Sequence, residues 1–81
     1  MTIQQILQDN QFRESKNKPG LWVRDYGDVV VFADLRKDAN RPQFYGQMEG
    51  HPAPRGDIED RIKPIKRAMM GIDKRQTKLN L

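Results

Sequence analysis

The sequence predicts a small α+β domain of order α-β-β-β-α, a three-stranded antiparallel sheet packed by an N-terminal and a C-terminal helix. Three observations carry that reading. Ile3, Ile6 and Leu7 recur at helical spacing near the start of the chain. The run "GLWVRDYGDVVVFADLR" is rich in β-branched and aromatic residues and is broken once, by Gly27-Asp28. Ile58, Ile62, Ile65, Met69, Ile72, Gln76 and Leu79 follow one another at spacings of 4, 3, 4, 3, 4, 3.

The first helix is expected over residues 3–14. The Thr2 hydroxyl serves as its cap, and Gln5, three residues on, completes a capping box. "SKNKPG" then ends it, through Pro19 and Gly20. Gly27-Asp28 suits a tight type II′ turn, which makes residues 21–26 and 29–35 a hairpin. "QFYGQM" is the third strand, with Gly46 marking a bulge or a close backbone approach. "EGHPAPRGD" reads as a proline-bearing loop leading to Asp57, a good helix cap.

The five apolar residues from Ile58 to Ile72 fall within about 80° of arc on a helical wheel, a single narrow seam. Lys63, Arg67, Lys74 and Lys78 lie opposite it. Pro64 in a helix interior costs about 3 kcal/mol, so the helix is expected to begin there, with Pro64 as its first helical residue, rather than to kink around it. The chain of 81 residues is one domain, 1–81, with 73–81 as a fraying helical tail. The α-β-β-β-α order is similar to that of double-stranded RNA-binding domains, which carry basic residues on their second helix, as "KPIKRA" does here. Their glycine-bearing and clustered-lysine signatures are not matched, so the similarity is one of topology alone.

Charge is unevenly distributed. The net charge is +4, yet residues 61–81 hold seven basic side chains and one acidic, and residues 1–60 hold eight basic and ten acidic. A localised basic surface suits a polyanion, DNA or RNA unresolved, or an acidic protein surface. Lys63, Lys66, Arg67, Lys74, Arg75 and Lys78 are the candidate phosphate contacts. The bland alternative is a helix with a solvated face.

If Gly27-Asp28 is the turn, Trp22, Arg24 and Tyr26 share a sheet face with Val29, Val31 and Ala33, and Leu21, Val23, Val30 and Phe32 share the other. In the third strand, alternation groups Phe44, Gly46 and Met48 apart from Gln43, Tyr45 and Gln47. Trp22 and Tyr26, joined by Tyr45, are the candidate stacking residues for unpaired bases, with Arg24 meeting phosphate. Val29 and Val31 beside them support the opposite view, that these rings are core.

Other chemistry finds little support. With no cysteine and one histidine, His51, neither a disulfide framework nor a His/Cys metal cluster is expected. Asp25, Asp28, Asp34, Asp38 and Glu49 match no ligand loop, Ser15 is the only serine, and the "RGD" at 55–57 is read as coincidence. No enzyme activity, cofactor or metal is expected. No apolar run approaches the ~20 residues of a membrane span, and "MTIQQILQDN" lacks a secretory signal, so no membrane partner and a cytoplasmic location are expected. The leading expectation is a non-enzymatic basic accessory protein that binds nucleic acid. The alternative is a phage- or plasmid-type interaction module or inhibitor acting through its C-terminal helix or a sheet edge. A homodimer through Ile58, Ile62, Ile65, Met69 and Ile72 is a further expected association.

Overall fold

The Thr2 side chain opens the first helix, as its capping box predicts. In the computed structural model, which describes residues 2–79 and the side chains of residues 2–71, the Gln5 amide donates to the Thr2 hydroxyl at 3.1 Å and the Thr2 amide donates to Gln5 Oε1 at 2.9 Å. Helix α1 is short, Ile3–Asp9, not the 3–14 expected. Asn10 ends it and Gln11 takes a left-handed φ of 67°. The Phe12 amide then donates to the Leu7 carbonyl at 2.9 Å and the Gln11 amide to that of Gln8 at 2.9 Å. This is a Schellman stop with glutamine where glycine is usual, and it turns Phe12 into the core against Leu7.

The chain freed by that stop forms β1 (Arg13–Glu14), which pairs with β2 (Leu21–Asp25). β2 and β3 (Val30–Asp34) form the hairpin foreseen around Gly27-Asp28, with the Tyr26 amide donating to the Val29 carbonyl at 2.9 Å and Gly27 at φ 95°. β4 (Gln43–Met48) follows, and a two-residue turn leads to β5 (His51–Pro52). In that turn Glu49 (φ 49°) and Gly50 (φ 85°) are both left-handed, the requirement of a type I′ hairpin. The sheet is thus an antiparallel meander of five strands in the order β1-β2-β3-β4-β5, not three. The two added strands have two residues each, too few to register as an apolar alternation.

Helix α2 spans Arg55–Leu79. It neither begins at Pro64 nor uses Asp57 as a cap: Pro64 is interior, and Asp57 lies in the first turn, where its charge favours the helix dipole. The proline removes the amide that would reach the Asp60 carbonyl. Pro64 and Asp60 both lie on the exposed side of α2, where water can take that carbonyl, so the helix tolerates the loss. The core joins Ile6, Leu7 and Phe12 to Trp22, Val29, Val31, Ala33, Leu35 and Phe44 of the sheet and to Ile58, Ile62 and Ile65 of α2. Gly46 is the close approach: a Cβ there would lie 2.7 Å from Ile58 Cγ2 and 3.3 Å from Val29 Cγ2. No described helix is long and apolar enough to cross a membrane.

Candidate nucleic-acid interface

Both helices pack on the same side of the sheet, the side of Trp22, Val31, Ala33 and Phe44. Among the described residues no helix packs on the opposite side. Across it the register aligns Arg13, Val23, Phe32 and Tyr45 in one row over four strands. Phe32 and Tyr45 stack with ring centroids 5.1 Å apart and planes 16° from parallel, and Tyr45 remains 39% exposed. Beside them Arg36 clasps Asp34, donating from Nε to Oδ1 at 3.0 Å and from Nη2 to Oδ2 at 2.8 Å. That clasp, with the Arg36 amide also donating to Oδ1, brings the Asp34 carboxyl down to about 2 and raises the Arg36 pKa.

This arrangement corrects the stacking surface read from the sequence. Trp22 is 5% exposed, held in the core between sheet and helices, and has no free face for a base. Tyr26 is half-buried, and guanidinium groups approach its ring: Arg24 at 4.1 Å from the centroid and Arg61 at 5.0 Å. Arg24 is committed further, its Nη1 donating to the Asn10 carbonyl at 2.9 Å, which ties β2 to the end of α1. Tyr45 lies on the sheet face opposite Trp22 and Tyr26, so the three never form one platform. The aromatic pair on the other face is Phe32, half-buried, with Tyr45, exposed. Strand alternation already grouped Tyr45 apart from Phe44 and Gly46; the clue to which group is covered lay in the small and β-branched residues Val29, Val31, Ala33 and Gly46 on one face.

The cations of α2 divide. Arg61 binds Asp28 with two hydrogen bonds of 2.7 Å, Arg55 binds Glu59 at 2.9 Å, Lys63 reaches Asp60 at 3.1 Å and Lys66 reaches Glu59 at 3.8 Å. Arg67 is exposed and has no ion pair among the described residues. The side chains of Lys74, Arg75 and Lys78 lie outside those described, as do Ile72 of the proposed dimer seam and the tail expected at 73–81. Within the described seam, Ile58, Ile62 and Ile65 are fully buried against the sheet, and Met69 packs partly on the core.

Between β4 and α2 runs a cleft of about 740 Å³. Phe44, Tyr45, Met69 and Met70 give it apolar walls, and Arg41, Arg55 and Lys66 give it cations. Arg55 closes one end by donating from Nη1 to the Phe44 carbonyl at 3.1 Å. Glu59, gripped first by the Arg55 hydrogen bond and also near Lys66, has its pKa lowered. The sequence reading missed Phe32, Arg36, Arg41, Arg55 and Met70, because they come from β3, α2 and the loop between β3 and β4, and no local spacing joins them. Among the described residues no group of three or more His, Asp or Glu side chains is placed to hold a metal ion.

Comparison with known proteins finds no match: no family model, no curated protein and no solved structure matches the chain.

Proposed function

We propose that the protein is a non-enzymatic binder of single-stranded nucleic acid, using the open sheet face for bases and the basic residues of α2 for phosphates. The observation that carries this is the Phe32–Tyr45 stack, which leaves Tyr45 39% exposed on a sheet face that no described helix covers. An exposed ring stacks on a base only if that base is unpaired, which favours single strands over duplex. Arg13 in the same cross-strand row, and Lys66 and Arg67 on α2, supply cations at the margins. The excess of six positive charges over residues 61–81 supports attraction to a phosphate backbone.

Filter binding of single- and double-stranded DNA and RNA at low and moderate salt tests the reading. Wild type should bind single strands more tightly, with an affinity that falls as salt rises. Tyr45→Ala, at an exposed position that leaves the core intact, should bind about tenfold more weakly, the size of one lost base–aromatic contact. Absence of salt-dependent binding to any of the four would overturn it.

A second reading, an interaction module or inhibitor for an acidic protein surface, draws support from Met70, which is 56% exposed beside Met69. Exposed methionine suits adaptable apolar docking. The burial of Trp22 favours this reading, and the burial of Ile58, Ile62 and Ile65 counts against the seam as its docking edge.

A further inference from the structure

We propose that the cleft between β4 and α2 is a subsite for one nucleotide turned over the edge of the sheet, with Glu59 as the internal counter-ion that its phosphate displaces. This rests on the single-strand reading above and names where one base and its phosphate go.

The opening exists because β5 is so short. It pairs with β4 only at Gln47 and Met48, so the Gln43–Tyr45 half of β4 has no strand outside it. The space there, about 740 Å³, lies within the ~300–1,000 Å³ of clefts that take small ligands. Tyr45, whose ring stacks on Phe32 toward β3, is 39% exposed and is one of the residues that line the cleft. Met69 and Met70 line the same cleft from α2, thioethers that pack well against flat aromatic surfaces. A base held against Tyr45 would meet them.

Charge decides what kind of molecule carries that flat ring. Arg41, Arg55 and Lys66 line the cleft, so the occupant is anionic. A carboxylate already answers two of them: Glu59 takes the Arg55 Nε hydrogen bond at 2.9 Å and stands 3.8 Å from Lys66 Nζ. It keeps both cations beside the apolar walls while the cleft is empty. A phosphate competes for the same two groups and gains the Arg41 side as well. Glu59 therefore weakens binding while orienting the cations, and removing its charge strengthens binding.

The test uses the full chain and two probes. In amide-resolved NMR, adenosine 5′-monophosphate should shift resonances of residues 41–45 and 66–70, and adenosine or ribose 5-phosphate alone should shift them less, because each lacks half of the recognised chemistry. In anisotropy titrations with a labelled single strand of ~8 nucleotides, within the known range of site sizes, Glu59→Gln should bind more tightly than wild type. Met70→Asp, at a surface position, should bind about tenfold more weakly with an unchanged melting temperature. If wild type binds the strand but the monophosphate leaves the cleft unshifted, or Glu59→Gln and Met70→Asp bind as wild type does, the subsite is overturned and the single-strand reading stands. Wild type that binds no strand overturns both. A cleft that takes a poly-glutamate peptide in preference to the monophosphate overturns the subsite in favour of an acidic protein partner.

Discussion

Arg61 of α2 closes on Asp28 of the β2–β3 turn through two parallel hydrogen bonds of 2.7 Å, and the same guanidinium lies 5.0 Å from the centre of the Tyr26 ring. One side chain thereby joins the hairpin tip to the helix, across 33 residues of sequence. Its pKa is raised and that of Asp28 lowered, each chiefly through this shared hydrogen bonding.

A depressed carboxyl pKa stabilises the fold above the unfolded value of 3.8 and loses that contribution as pH falls toward the folded value. For Asp34 the window runs from 3.8 down to about 2, and for Asp28 it begins at 3.8 and extends lower. Wild type should lose melting temperature through this range. Asp28→Asn and Asp34→Asn should each melt slightly lower at neutral pH and converge on wild type by the bottom of the window. Thermal melts followed by circular dichroism at closely spaced pH values measure it; curves that stay parallel would show the pairs to be energetically idle.

Gly46 and Gly71 should respond to alanine with opposite signs. At Gly46 the new methyl meets Ile58 of the core helix at 2.7 Å, and overpacking of that kind costs about 1–3 kcal/mol. At Gly71, inside α2, a new methyl meets nothing within 4 Å among the described residues, so Gly71→Ala should gain up to about 1 kcal/mol from helix propensity. Urea midpoints of the two variants decide it.

Pro64→Ala restores an amide in the interior of α2, opposite the Asp60 carbonyl. The variant should be more stable by about 1–3 kcal/mol, read as a raised denaturant midpoint. An unchanged midpoint would mean that the helix around Pro64 has already relaxed the cost.

Ile65→Asp sets a carboxylate where the side chain is fully buried between α2 and the sheet. Among the described residues no charged side chain is buried in that layer to pair with it, so the fold should be lost at neutral pH, seen as collapse of the circular dichroism signal. Retention of a cooperative melt would show that α2 can slide to expose the site.

If Lys66 and Arg67 touch phosphate, the double variant Lys66→Ala with Arg67→Ala should flatten the dependence of log affinity on log salt. Each lost single-strand contact removes about 0.7 of the slope, or about 1.4 for the pair. The loss should be the same for every sequence tested, since phosphate contacts carry no base information.

What the sequence reveals and what it hides follows from the range of each interaction. The α1 cap, the Gly27-Asp28 hairpin and the close approach at Gly46 are set by neighbours or by strand alternation, and each appears where expected. The end of α1 was hidden because Gln11 does the work usually given to glycine, and the stop depends on Phe12 finding Leu7. The start of α2 was hidden because proline's local penalty is outweighed by burying Ile58, Ile62 and Ile65 together. The site was half legible. Tyr45 and Lys66 carry the right chemistry, but their companions Phe32, Arg41 and Met70 are brought near only by the folded sheet and helix. Trp22 carried two readings in the sequence, a stacking ring and a core ring, and its burial agrees with the second, the side that Val29 and Val31 beside it favoured.

Trp22 is the only tryptophan in the chain, and it is sealed on the covered side of the sheet, while the Phe32–Tyr45 pair, with Tyr45 exposed, occupies the reverse side. The two faces can therefore be given separate optical channels. Indole emission reports the integrity of the interior, and tyrosine emission, read in a Trp22→Phe, Tyr26→Phe background that leaves Tyr45 as the only tyrosine, reports events at the outer face. A ligand that dims the second and leaves the first unmoved has settled on the sheet without disturbing the fold beneath it.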